Sequence, residues 1–244
     1  MTEPSTVEVR DQGTLARAVG MIVSPGDTLR TVIARPRPGI ILLLVCVVVS
    51  LATALPQLTE RGRQTTLNMQ VQQTERMTGK PVTPEAYAAM QKYVSYSAYI
   101  SAVAVFIMVP VITMLFAVVY WALFNVILGG SAALKEVVGI VAHTAVIGAL
   151  GAVLGAPIQY IKGVQTAAGP FNLGALAPML DPSTFLAKYL GGMNVFTIWS
   201  LLATAVGLGL LYRRKTWPIA VTLVALYLLL AGVFTAGMSS FMGR

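Results

Sequence analysis

Few side chains in this sequence are equipped for chemistry, and they are scattered. His143 is the only histidine and Cys46 the only cysteine. A disulfide needs two cysteines, and the zinc sites built on cysteine or histidine need several ligands. Asp181 has no neighbouring carboxylate in the sequence, so general acid–base hydrolysis by a carboxylate pair has no basis. There is no Gly-x-Ser-x-Gly elbow, no phosphate loop and no His-Glu-x-x-His sequence. Gly26-Asp27 and Gly79-Lys80 are isolated dipeptides with no phosphate-binding context. These residues predict no enzyme, no cofactor and no metal.

His143 lies inside an apolar run, two turns after Lys135-Glu136. An ionisable group at such a place invites a functional reading, for instance as a pH-sensitive polar site. The simpler expectation is a neutral imidazole that hydrogen-bonds within the packed helices. Small residues form a clearer pattern. Gly148, Gly151, Ala152, Gly155 and Ala156 share one run, and Ala203 and Gly207 repeat the four-residue spacing in another. Such spacing lets helix backbones approach closely, so these positions are expected to form a helix-packing face, within the bundle or toward a partner.

The elements that carry these residues belong in a membrane. Only 11% of the 244 residues are charged and 56% are apolar, where soluble domains carry about 25% charge. Mean hydropathy is +0.75. Five apolar segments are expected to cross the bilayer, at about 38–56, 96–128, 137–161, 195–212 and 217–238. The second is expected to begin near Thr83-Pro84-Glu85 and run unbroken to Gly129-Gly130. That would be a helix of about 45 residues and about 68 Å at about 1.5 Å per residue, half of it in water. Pro110 is expected to kink it. The polar stretch 57–95 turns at Gly79-Lys80-Pro81 and reads as a helical hairpin outside the membrane. Residues 162–193 form a second long connection, rich in Gly, Ala and Pro.

Residues 1–37 read as a polar tail with two amphipathic helices lying at the membrane surface. Leu15, Val19 and Ile22 share a face, with Arg17 elsewhere on the wheel. Ser24-Pro25 starts the second helix, and Arg35-Pro36-Arg37-Pro38 stops it. The first apolar run comes too late for a cleavable signal peptide. The net charge of +8 arises from lysines and arginines between the apolar runs, where they face lipid headgroups. No basic patch with interleaved aromatics suggests nucleic acid. Arg35, Arg37, Arg213, Arg214 and Lys215 are therefore read as lipid-facing basic residues. Five crossings put all of them on one side, which favours the N-terminus inside and the C-terminus outside.

Several stretches, in order, resemble the bacterial branch of the Yip1 domain family. They are Met21-Ile22-Val23-Ser24-Pro25 with Thr28-Leu29, Val32-Ile33 and Arg35-Pro36; then Trp121, Gly129-Gly130 and Lys135; then Pro157; then Met193-Asn194-Val195-Phe196-Thr197-Ile198-Trp199. The acidic Tyr- and Gly-Pro-containing stretch of eukaryotic members is absent, so their vesicle-traffic role does not carry over. The resemblance implies a five-span protein of the cytoplasmic membrane, of a kind associated in some cases with ABC-type exporters. The expected fold is all-α: a bundle of five transmembrane helices (38–240) with N-terminal interfacial helices (1–37) and an external hairpin. The expected function is a non-enzymatic accessory, scaffold or assembly factor, whose partners are the bilayer and another membrane protein or a second copy of itself. The alternative is a small transporter or channel subunit acting as a homo-oligomer. His143, Asn125, Thr113 and Thr144 are sparse polar groups for an ion path, and no small-molecule substrate is evident.

Overall fold

Two short helices that share a serine boundary open the fold. A computed structural model describes residues 13–163, 169–181 and 184–242, with side chains to residue 237. Residues 1–12 of the tail and parts of the 162–193 connection lie outside the described residues. Helices α1 (Thr14–Val23) and α2 (Pro25–Ala34) meet at Ser24, with Pro25 in the first turn of α2, where its missing N–H costs nothing. Helix α3 (Pro38–Ala54) continues into a 3₁₀ turn, Leu55–Leu58. Helix α4 (Glu60–Thr78) is capped by the Thr59 hydroxyl, which accepts from the Gly62 N–H, and ends at Gly79 with φ 66°. Helix α5 (Pro84–Val94) folds back on α4 and is capped by Thr83. Helix α6 (Ser97–Ala122) ends in a π turn, Leu123–Ile127. Helices α7 (Leu134–Lys162), α8 (Phe185–Gly191), α9 (Val195–Leu211) and α10 (Thr216–Met242) complete the chain.

The all-helical architecture and the hairpin match expectation, but the expected single helix from residue 83 to the di-glycine does not form. It breaks between Val94 and Ser97. The Ser97 hydroxyl donates to the Val94 carbonyl (2.8 Å), and the Tyr96 N–H donates to Tyr93 rather than one residue earlier. Serine hydroxyls compete with the backbone ladder in this way and leave no glycine or proline as a marker. The break lets α5 turn back while Val94 and Ala98 are buried (4% and 3% exposed).

Among the described residues, four helical runs are long and apolar enough to cross a membrane: Pro38–Leu58, Ser97–Ile127, Leu134–Lys162 and Thr216–Gly237. Helix α9 is apolar but has only 17 residues. At about 1.5 Å per residue it is a little short of a hydrocarbon core of about 30 Å. Helix α7 is central, with 67% of its apolar window buried, against 28% in α3, 17% in α10 and 11% in α6. It packs between α3, α6 and α9, and α10 packs on α9. Hydroxyls tie α7 to α9: Thr144 Oγ1 lies 3.0 Å from Thr204 Oγ1, and Ser200 Oγ donates to the Thr144 carbonyl (2.9 Å). Ser50 Oγ likewise donates from α3 to the Ala102 carbonyl of α6.

The two N-terminal helices dock across the end of the bundle where α7 begins. Met21 and Leu29 are fully buried in the common core, so residue 37 separates no second core. On α1 the docked face carries Arg17 and Met21, while Leu15, Val19 and Val23 face outward (71%, 60% and 77% exposed). An outward apolar stripe is what an interfacial helix presents to the bilayer. Arg17 is 2% exposed, and its Nη1 donates to the Arg35 carbonyl (3.0 Å) at the C-terminus of α2. Cations are favoured at helix C-termini, and here the cation comes from a different helix.

Close approach dictates glycine at Gly207. A β-carbon there would lie 2.5 Å from Ile140 Cγ2 and 3.3 Å from Leu29 Cδ2, whereas one at Gly148 would meet nothing within 4 Å. Gly207→Ala is expected to lose about 1–3 kcal/mol through overpacking. Gly148→Ala is expected to be neutral or stabilising. Thermal unfolding of both variants in detergent checks this; equal losses would contradict the packing described.

Candidate functional site

Small residues on α7 leave a space at the hairpin end of the bundle. Gly148, Gly151, Ala152 and Ala156 form one wall of a cavity of about 360 Å³. Thr53 and Gln57 from α3 and its 3₁₀ turn, Gln159 and Tyr160 from α7, and Asn194 and Thr197 from the start of α9 supply its polar groups. Each is placed by local structure. Gln57, 8% exposed, is held through Nε2 by the Thr53 carbonyl (2.9 Å) and Ser101 Oγ (3.0 Å). Asn194 is the N-cap of α9, and its Oδ1 accepts from the Phe196 N–H (2.7 Å). Its own N–H donates to the Tyr227 hydroxyl of α10 (3.2 Å). Phe196 lies over Gly151, where a β-carbon would be 2.7 Å from the ring, and meets Phe171 edge-on at 5.2 Å.

All the described lining groups are neutral. They can hydrogen-bond water or a neutral polar molecule, and none is arranged as a nucleophile with a base. An apolar groove of about 570 Å³ between α3 and α7 adjoins the cavity, sharing Ala52, Pro56, Ala156 and Tyr160. Outside, Arg61 at the base of α4 donates to the Ile161 carbonyl (2.6 Å), with its guanidinium 5.5 Å from the Tyr160 ring centroid.

The residues singled out from sequence divide between the two ends. Gly151 and Gly155 pack inside the molecule against Phe196 and Pro170, and Gly207 packs against Ile140 and Leu29. Gly148 and Ala152 line the cavity. His143 is 1% exposed and away from the cavity; its Nδ1 donates to the Gly139 carbonyl one turn earlier (2.7 Å). Arg35, Arg37, Arg213, Arg214 and Lys215 are all exposed, the first two between α2 and α3 and the other three in the turn between α9 and α10. Sequence reasoning missed Gln57, Phe196 and the inward Arg17. Asn194 carried a readable signal, since asparagine before an apolar run is a strong N-cap.

The basic turn has one unusual feature. Arg213 adopts φ 51°, the left-handed position that normally holds glycine after a helix. The Arg214 N–H closes the turn on the Gly209 carbonyl (2.9 Å). A non-glycine residue costs about 1–2 kcal/mol in this conformation. Arg213→Gly is therefore expected to raise the melting temperature in detergent. A lowered one would mean that the arginine side chain holds the turn more strongly than the strain opposes it.

No curated protein and no solved structure matches this chain. A family model, the Yip1 domain, matches residues 19–238. The match begins inside α1 and ends in α10, so the docked N-terminal helices and the apolar bundle belong to one unit. The chain is thus an integral membrane protein that belongs to the Yip1 domain family.

Proposed function

We propose that this protein is a non-enzymatic accessory or scaffold subunit of a bacterial cytoplasmic-membrane complex, such as an ABC-type exporter. The observation that carries this reading is the α4–α5 hairpin, which is fixed at its base and open along its length. The base is held by Arg61 on the Ile161 carbonyl, and by Gly62, whose missing side chain admits the Pro56 carbonyl. The buried residues of α4, Gly62, Thr66 and Leu67, all lie in its first half. The turn is also ordered: the Gly79 N–H donates to the Glu75 carbonyl, and the Val82 N–H to Glu75 Oε1 (3.2 Å). A helix of 19 residues reaches about 28 Å at about 1.5 Å per residue. An arm ordered before binding loses little entropy when a partner engages it.

In this reading α9 is the fifth crossing. The N-terminus and the basic end lie inside; the hairpin, the cavity and the C-terminus lie outside. The clustered basic residues support that orientation through the positive-inside tendency. A second reading, a small transporter or channel subunit acting as a homo-oligomer, is favoured by the neutral polar cavity beside a lipid-side groove.

Purification from native membranes in mild detergent, with mass determination of the intact assembly, tests the proposal. The expected result is another membrane protein in fixed stoichiometry, lost when the hairpin is replaced by a short glycine-rich linker. Recovery of the chain alone, or only as a homo-oligomer, would overturn the scaffold reading. Flux through the reconstituted homo-oligomer would then support the second one.

A further inference from the structure

The α6–α10 side of the bundle carries a groove that the scaffold reading does not use. Among the described residues, helices α6 and α10 make no extensive contact with each other. At the end bearing α1 and α2 they leave a groove of about 420 Å³, within the usual range for ligand sites of about 300–1,000 Å³. Leu123, Phe124 and Leu128 form one wall; Pro218, Ile219 and Leu223 form the other. The only neutral polar side chain in the lining, Thr222, has its hydroxyl committed to the Pro218 carbonyl (2.9 Å). The groove therefore suits an apolar chain and offers a polar ligand nothing.

Its mouth has the opposite character. Arg214 and Lys215 are part of the lining, and Arg214 Nη2 reaches across to the Leu128 carbonyl (2.9 Å). Arg213 stands next to them in its strained conformation, so positive charge occupies a place where glycine would be the relaxed choice. The acid at this end of α7, Glu136, is engaged by the Ala133 N–H (2.7 Å). Trp217, two residues beyond Lys215, is 76% exposed. Exposed tryptophan on a membrane helix marks the headgroup level, so the cationic mouth lies where lipid phosphates lie. A basic mouth on an apolar cleft at that depth complements an anionic lipid.

We propose that this groove is a discrete site for one anionic phospholipid. An acyl chain lies between α6 and α10, and the headgroup phosphate meets Arg213, Arg214 and Lys215. The site forms within one chain and needs no protein partner.

The test is native mass spectrometry of the full-length protein after delipidation, titrated with phosphatidylglycerol or phosphatidylcholine. The expected result is a single high-affinity phosphatidylglycerol per chain and weaker phosphatidylcholine binding. Lys215→Gln is expected to weaken phosphatidylglycerol about fivefold, the effect of one basic side chain near a lipid surface. Arg213→Gly should do the same in a protein that is no less stable, which separates lipid binding from folding. Thr222→Trp, which fills the groove from its exposed rim, should remove the site for both lipids. Equal binding of the two lipids, or binding indifferent to Thr222→Trp, would overturn the proposal.

Discussion

The structure depends on enclosing one helix on nearly all sides. Helix α7 is contacted by α1, α2, α3, α6 and α9, and five neighbours fit around one axis only where some side chains are minimal. Gly139 admits Pro36 and Val32 from the N-terminal segment, and Gly151 admits the Phe196 ring. The partner helix makes the same concession at Gly207, which receives Ile140 of α7. In a bilayer, apolar burial gives little drive for helices to associate, so close van der Waals contact and hydroxyl bonds between helices must hold them. The Thr144–Thr204–Ser200 cluster supplies those bonds at the middle of the α7–α9 seam.

That central constraint gives the two ends of the molecule different characters. Where α7 begins, α1 and α2 fill the space with Met21, Leu29 and Val32, and the one charged side chain buried among the described residues, Arg17, donates to the Arg35 carbonyl at the C-terminus of α2. Where α7 ends, no large side chain among the described residues fills the space left by Gly148, Ala152 and Ala156, and a cavity with a neutral polar lining remains beneath the hairpin. The outer helices α6 and α10 keep large apolar side chains exposed along their length, as lipid-facing helices do. One end is thus closed and basic. The other is hollow, with a cavity whose described lining is neutral, and is extended by an ordered arm.

Much of this was legible in the sequence because the signals are local. Apolar run length marks the long membrane helices, Gly79-Lys80-Pro81 marks the hairpin turn, and Ser24-Pro25 marks the boundary between α1 and α2. The break at Ser95–Tyr96 was illegible, since hydroxyl competition replaces the usual glycine or proline. The helical wheel correctly separates Leu15 and Val19 from Arg17, but it cannot tell which face docks. That depends on the Arg35 carbonyl eighteen positions away. The cavity draws Thr53, Gln57, Gln159 and Asn194 from three separate parts of the chain. No spacing rule connects such positions. The small-residue series was visible as a pattern, but only the three-dimensional neighbours show which members touch side chains and which face open space.

The central claim is that a tightly enclosed helix bundle holds a rigid hairpin out to a membrane-protein partner. The most direct measurement is site-specific photocrosslinking in native membranes from Met77, which is 60% exposed beside the hairpin turn, with Leu229 on the outer face of α10 as reference. The account predicts one discrete protein adduct from Met77 and a lipid adduct from Leu229. Solvent quenching at Met77 with no protein adduct, in membranes where the protein is at its native level, would contradict it.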